Sequence, residues 1–331
     1  MVKESRFGWV DLVKGIAILW LVVYHFYAVG WLRSPVPVFF FLSGLFYSDG
    51  KSFGSFLTKK AKALLIPLLF FFVLGVIAMA VKAIFVGEAI SFPPLWRFCT
   101  LIPANAEVTN PLGVGAIWFL VSLFEIYVLY YLFRRVSKNK YWLFTTAVLL
   151  FLLSSITMQK YGMGSWLYLF YTSGFYIYFV IADMLREKVL YEKITMKVFI
   201  IFIAAYFLRL FDFSSVMNDN LMGGILLRVR DVMSMLGVIG ILAFVGKMLE
   251  NNNMACKSKL YLFFLFEGRN SITILGVHLL AMGIITILMK QDCIVNNLIL
   301  YYIMSFFVIV LICNVCIFLF NRYLPFFVNH K

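Results

Sequence analysis

Charge is scarce in this chain. Only 13% of its 331 residues are Asp, Glu, Lys or Arg, while 63% are hydrophobic; a soluble domain carries about 25% charged residues and roughly 45–50% apolar ones. So little charge excludes an ordinary water-soluble globule. Acidic residues are rarer than basic ones, 15 against 29, giving a net charge of +14. A basic balance can mark a nucleic-acid binder. Here the Lys and Arg residues cluster in short segments between apolar runs, the pattern of membrane topology, and nucleic acid is not an expected partner. The five cysteines (Cys99, Cys256, Cys293, Cys313, Cys316) form no disulfide framework. Cys313 and Cys316 are spaced as CxxC, but inside an apolar run without a nearby His, and read as small residues of a membrane helix. Also missing are a Walker loop, paired glycosidase-like carboxylates, a G-x-S-x-G elbow, a metal-ligand cluster and a persuasive G-x-x-x-G dimer motif.

What is present is apolar sequence in membrane-length stretches. Ten spans are expected, near 9–30, 35–49, 64–86, 113–133, 141–158, 165–185, 196–212, 221–246, 264–289 and 293–320. The fold class is all-α: a polytopic transmembrane helical bundle, read as one integral domain over 1–331. The second stretch is short for a full crossing. The first contains Lys14 and His25 and lacks an A-x-A-like exit, so it reads as a retained anchor rather than a signal peptide. With both termini cytoplasmic, nineteen basic residues fall in the inside segments and four (Arg33, Arg97, Lys160, Lys290) in the outside loops. That asymmetry sets the expected orientation. The longest outside loop, about 88–112, holds four prolines and could cap an outward-facing site.

Six basic residues remain at expected membrane depth: Lys14, Lys82, Arg209, Arg228, Arg230 and Arg269. Acidic companions are Asp11, Glu125, Asp183, Asp212 and Asp231. Ionisable groups in a bilayer are expensive, so each is a functional candidate. Arg228, Arg230 and Asp231 read as a compact knot, either an interfacial ion pair or part of a polar cavity. Lys14 and His25 are eleven residues apart, about three helical turns, so they share a face; Asp11 lies one turn before Lys14. His25 falls roughly 16 Å deeper than Lys14 at about 1.5 Å per residue. An imidazole titrating near ~6.5 is suited to general-base work. The alternative is a structural histidine satisfied by a carbonyl or by Tyr24 or Tyr27. Lys59, Lys60 and Lys62, just before the third expected span, read as positive-inside anchors or as the mouth for a phosphorylated cytoplasmic donor. Ser271 and His278 are seven residues, nearly two turns, apart on one face of the ninth span.

Read together, these blocks resemble the acyltransferase-3 family. The opening Arg6-x4-Asp11-x2-Lys14-Gly15, with His25 after it, is similar to the family's first motif. Pro37-Val-Phe-Phe-Phe-Leu-Ser43-Gly44, Lys60-Ala-Lys62-Ala-Leu-Leu-Ile-Pro67, Trp118-Phe119-Leu120 and Gly268-Arg269-Asn270-Ser271 with His278 resemble four further blocks in order. Ser34-Pro35-Val36 stands where the family often has His-Met, and Ala63 occupies a usually basic position. Lys14 and the lack of a fused hydrolase-like domain make the chain look closest to the fucose-4-O-acetylase-like branch.

The resemblance implies transfer of an acyl group, usually acetyl from acetyl-CoA, to a hydroxyl of a cell-surface or lipid-linked sugar at the bacterial inner membrane. The donor is a substrate; no permanently bound cofactor and no metal are implied. His25, matching the family's essential histidine, becomes general base or acyl relay, with Asp11 and Lys14 as further catalytic residues nearer the cytoplasmic end. Lys14, Lys59, Lys60 and Lys62 would face the CoA. Ser43, Trp118, Arg228, Arg230, Asn270, Ser271 and His278 would support substrate or fold. A polysaccharide or lipid-linked sugar transporter is the competing reading, since buried Arg/Asp pairs and two intramembrane histidines also suit a proton-coupled carrier. A purely structural assembly subunit would not need His and Lys on one stripe.

Overall fold

The computed structural model describes residues 7–27, 34–48, 52–87, 89, 91–100, 104–161, 173–208, 221–252, 258–288 and 298–328. Among them all regular structure is helical. The main helices are α1 (Gly8–Tyr27), α2 (Val36–Leu45), α3 (Phe53–Val86), α4 (Trp118–Val136), α5 (Lys140–Tyr161), α6 (Tyr176–Met184), α7 (Met196–Phe207), α8 (Leu221–Glu250), α9 (Lys259–Arg269), α10 (Ser271–Leu288) and α11 (Leu298–Tyr323). Six helical stretches are long and apolar enough to cross a membrane: Gly8–Phe26, Phe53–Val86, Gly115–Val136, Lys140–Thr157, Met222–Glu250 and Leu300–Tyr323. The pair α9 and α10, broken at Asn270, makes a seventh if taken as one span. The chain is a multi-pass membrane protein.

Several expected boundaries move. α2 and α7 are short, at 10 and 12 residues. The expected sixth and seventh spans fall partly on 162–172 and 209–220, outside the described residues, and Arg209 and Asp212 lie there with them. The expected ninth span is interrupted. Asn270 ends α9, and its carbonyl then accepts the first turn of α10 from the Thr273 and Ile274 amides. α3 starts eleven residues before the expected position. Ser52 caps it, its hydroxyl accepting from the Ser55 amide while the Ser55 hydroxyl takes the Ser52 amide, and nothing between there and residue 64 breaks a helix. Lys59, Lys60 and Lys62 are therefore on the helix itself, not in a loop before it. Pro67 sits inside α3, which runs on to Gly87, left-handed at φ 72°. The Pro-rich loop is less irregular than its composition suggests. It carries short turns at Leu95–Thr100 and Ala106–Thr109, tied by an Arg97–Glu107 ion pair and by Asn105 Nδ2 donating to the Arg97 carbonyl at 2.8 Å.

Two compact units divide the chain, the boundary falling inside α1 between Ala17 and Ile18. Unit one comprises Met1–Ala17, Pro35–Asp49 and Glu125–Arg269. In it α2 packs on α6, α6 on α5, α5 on α8 and α8 on α7. Its core is aromatic: Tyr47, Tyr130, Tyr176, Phe40 and Phe179 are fully buried. α2 can approach α6 because residue 44 is glycine; a Cβ there would stand 2.3 Å from the Phe179 carbonyl oxygen. Small residues at membrane helix contacts serve this purpose.

Unit two comprises Ile18–Ser34, Gly50–Phe124 and Asn270–Lys331, with α10 packed against α11 and α3. α3 shows why. Leu64, Leu68, Phe71 and Gly75 are buried, whereas Leu69, Val73, Ile77, Val81 and Ile84 form an exposed stripe at three-four spacing. On α11, Leu300, Met304, Phe307, Leu311, Val315 and Phe318 form another. Apolar stripes of that length have one suitable solvent, lipid.

Candidate functional site

In unit one the site residues gather where the N-terminal half of α1 crosses α9. The crossing is backbone to backbone. A Cβ at Gly15 would lie 1.9 Å from the Phe264 carbonyl oxygen, and one at Gly268 would lie 1.8 Å from that of Asp11. Both positions admit only glycine at this separation. Leu12, Tyr261 and Leu265 form the buried cluster beside it, with Ile16, Leu249 and Phe264 packed around. Asp11 is buried at 4% exposure, and its Oδ2 accepts from Arg269 Nε at 3.2 Å. Lys14, one turn on, is half-buried. Arg269 was legible as a membrane-depth cation. Its pairing with Asp11 was not, because 258 residues separate them.

In unit two the two intramembrane histidines meet. His25 Nδ1 is 3.0 Å from His278 Nε2, and the rings stack with centroids 5.2 Å apart. His278 Nδ1 is 2.9 Å from the Ile274 carbonyl oxygen, one turn back on α10. His278 is fully buried at 0%, whereas His25 is exposed, with the Tyr24 ring edge-on to it. The Tyr27 side chain lies outside the described residues. A backbone carbonyl does satisfy one histidine, but it is His278. α10 is held in register by Gly276, against which the Phe71 ring lies so closely that a Cβ would be 2.2 Å from it. Asn270 Oδ1 accepts from Asn321 Nδ2 at 2.9 Å. Ser271 opens α10.

The other sequence candidates are placed elsewhere. Ser43 lies near the end of α2, its carbonyl accepting from the Tyr127 hydroxyl at 3.3 Å. Trp118 starts α4 behind the turn Gly115–Ile117. Lys59 and Lys62 are exposed, and Lys60 lies 6.0 Å from the Phe56 ring centre. The expected knot resolves into Arg230 paired with Asp231 at 3.3 Å, while Arg228 reaches Ser154 Oγ at 3.4 Å over the Phe151 ring. Sequence reasoning missed a stronger hub. Asp183 binds Arg134 at 2.9 Å, Arg186 at 2.5 Å and the Tyr130 hydroxyl, and Arg186 also donates to the Tyr47 carbonyl just past α2. The i,i+3 spacing of Asp183 and Arg186 was the available signal. A cavity of about 810 Å³ in unit one is lined by Glu192, Lys193, Lys247 and Glu250 beside Trp9. Two lysines against two glutamates leave it without net charge, so it does not select an anion. Among the described residues no group of three His, Cys, Asp or Glu could hold a metal.

The Asp11–Arg269 pair and the histidine pair both draw on the first and last motif blocks of the sequence. A family model for the acyltransferase domain, acyltransferase-3, matches residues 7–318. The chain belongs to that family. No curated protein and no solved structure matches it. Membership with a multi-pass helical fold makes the protein a membrane acyltransferase, with an acyl donor, an acceptor and a lipid bilayer as its partners. Membership supports the acyltransferase reading; the carrier reading rested on ten spans, buried Arg/Asp pairs and two intramembrane histidines.

Proposed function

We propose that this acyltransferase moves an acyl group, acetyl in the first instance, from cytoplasmic acyl-CoA to a hydroxyl of a cell-surface or lipid-linked sugar. The reading includes the fucose-4-O-acetylase-like branch, a bacterial inner-membrane location, ten spans and both termini cytoplasmic. In the reaction the acceptor hydroxyl oxygen attacks the thioester carbonyl. A C–O bond forms, the C–S bond breaks, and the hydroxyl proton passes through His25 to the leaving thiolate. Acting as a relay, His25 would instead carry the acyl group between the two steps. Lys14, Lys59, Lys60 and Lys62 attract the CoA phosphates; Ser43, Trp118, Arg228, Arg230, Asn270 and Ser271 support substrate or fold.

One observation carries the reading: His25 is the exposed member of a pair whose other member is wholly buried. A group that handles substrate protons must be reachable, and a partner that holds it must not move. Mass spectrometry of surface glycans from a deletion strain, complemented with wild type or His25→Ala, tests the proposal. Wild type should restore an O-acyl group that His25→Ala does not restore at equal protein level. Unchanged glycans in the deletion strain would sink the acceptor assignment, and an active His25→Ala would sink the role of His25. Acetyl-CoA at saturating concentration should also raise the melting temperature of the detergent-purified protein.

A further inference from the structure

We infer that His278 is a positioning residue that locks His25 in one tautomer, leaving His25 Nε2 as the atom that takes the substrate proton. The inference rests on the proposed role of His25. A carbonyl oxygen can only accept, so the contact at 2.9 Å between Ile274 and His278 Nδ1 requires the proton on Nδ1. A neutral imidazole has a single N–H. His278 is at 0% exposure, among buried Ile274, Leu275, Val277 and Ala281, where an added charge would be costly. Its Nε2 therefore presents a lone pair. The atom 3.0 Å away, His25 Nδ1, must then be the donor.

With its proton on Nδ1, His25 has its lone pair on Nε2, on the far side of the ring. The polarity of the chain is thus fixed from backbone to base: Ile274 carbonyl, His278, His25, substrate. When His25 Nε2 takes the hydroxyl proton, His25 carries the positive charge and its Nδ1–H bond to His278 becomes charge-assisted. No proton need leave His278 for the step to balance. The two histidines are 253 positions apart, so the device depends on α1 and α10 packing within one unit. The sp² geometry matters too. The rings meet nitrogen to nitrogen with 23° between their planes, and a χ2 rotation that swung Nε2 away would break the 3.0 Å contact of Nδ1 with His278.

The chain has only three histidines, His25, His278 and His330. The decisive measurement is therefore direct: ¹⁵N spectroscopy of histidine-labelled full-length protein in lipid, with His330→Gln to remove the third signal. The expected spectrum has both His25 and His278 protonated on Nδ1 and bare on Nε2. A His25 protonated on Nε2 overturns the inference, and the measurement leaves both members of the pair unsubstituted. Kinetics supply the second arm. His278→Met keeps the side-chain length but offers no comparable acceptor, and kcat should fall roughly 10–100-fold, part of the factor a general base supplies. KM for acyl-CoA should stay put. His278→Gln places an amide oxygen near the Nε2 position and should recover most of the loss. Equal kcat in His278→Met and wild type overturns the inference. If His25→Ala retains activity, the reading of His25 itself falls, which is a separate failure.

Discussion

Substituting Gly268 by alanine tests whether the α1–α9 crossing is as tight as it looks. The new Cβ would stand 1.8 Å from the Asp11 carbonyl oxygen and 2.8 Å from the Gly15 amide nitrogen. Ordinary contact begins near 3.4 Å, so the helices must part by about 1.6 Å at that point. No flexible side-chain end can give way, because both obstacles are backbone. Overpacking costs about 1–3 kcal/mol, and two rigid backbones put this substitution at the upper end. Parting the helices also loosens the Leu12–Tyr261–Leu265 cluster and stretches the Asp11–Arg269 pair from 3.2 Å. Gly15→Ala meets Phe264 in the same way at 1.9 Å. One separation relieves both clashes, so the double substitution should cost much less than the sum of the two singles. The assay is reversible unfolding in mixed micelles, with Gly283→Ala as the control. Gly283 lies in α10 with nothing within 4 Å of a built Cβ, so alanine there should be neutral or stabilising by up to about 1 kcal/mol. If Gly268→Ala unfolds like Gly283→Ala, the close crossing is wrong. Strict additivity of the two alanines would also refute the shared-separation argument.

Three further outcomes follow from the same contacts. Asp11→Asn and Arg269→Gln should show a coupling free energy in a double-mutant cycle, of about 1 kcal/mol because Arg269 is half-exposed; zero coupling would remove the pair from the crossing. Asp183→Asn should destabilise unit one by about 3 kcal/mol, since it leaves Arg134 and Arg186 facing each other without their shared carboxylate, and an unchanged unfolding midpoint would contradict that. Replacing Lys59, Lys60 and Lys62 together by Gln should raise KM for acyl-CoA several-fold at low salt, with the difference shrinking at high salt and stability unaffected. A salt-independent KM would dissociate these lysines from the donor.

A feature of this fold is legible in the sequence where its signal is local. The long apolar stretches were legible because a bilayer imposes length on any helix that crosses it: α1, α4, α5, α8 and α11 lie within a few residues of the stretches that hydropathy marks, as does the C-terminal end of α3. The start of α3 was not legible from hydropathy. Lys59 to Lys62 depress it, yet the Ser52 cap carries the helix through them, and capping is a signal that hydropathy ignores. The break at Asn270 was hidden for a related reason. The residues on either side are apolar enough to suggest one span, and only the polar Gly268–Ser271 step marks the interruption. His25 and His278 were both singled out from sequence, each on its own helix. Their contact was beyond it, as was the Asp11–Arg269 pair, because spacing arguments work within a helix and say nothing about which helix lies alongside.

Within each unit, residues of the first motif block pair with residues of the last. Gly15 meets the backbone of α9 and Gly268 meets that of α1, Asp11 meets Arg269, and His25 meets His278. Within unit one the glycines set the distance at which the ion pair can close; within unit two Gly276, pressed on Phe71, does the same for the helix that carries His278. This division explains why the blocks mix residues of such different chemistry. Asp11, Arg269 and the histidines need defined partners at hydrogen-bond range, and that range is reached only if the backbones behind them approach closely. A glycine substitution should therefore depress activity through the same contacts that a substitution of the ionisable residues removes. The two are separable by temperature: activity of Gly276→Ala should recover on cooling if the helix re-docks, whereas His278→Met should stay impaired at every temperature because its acceptor is gone.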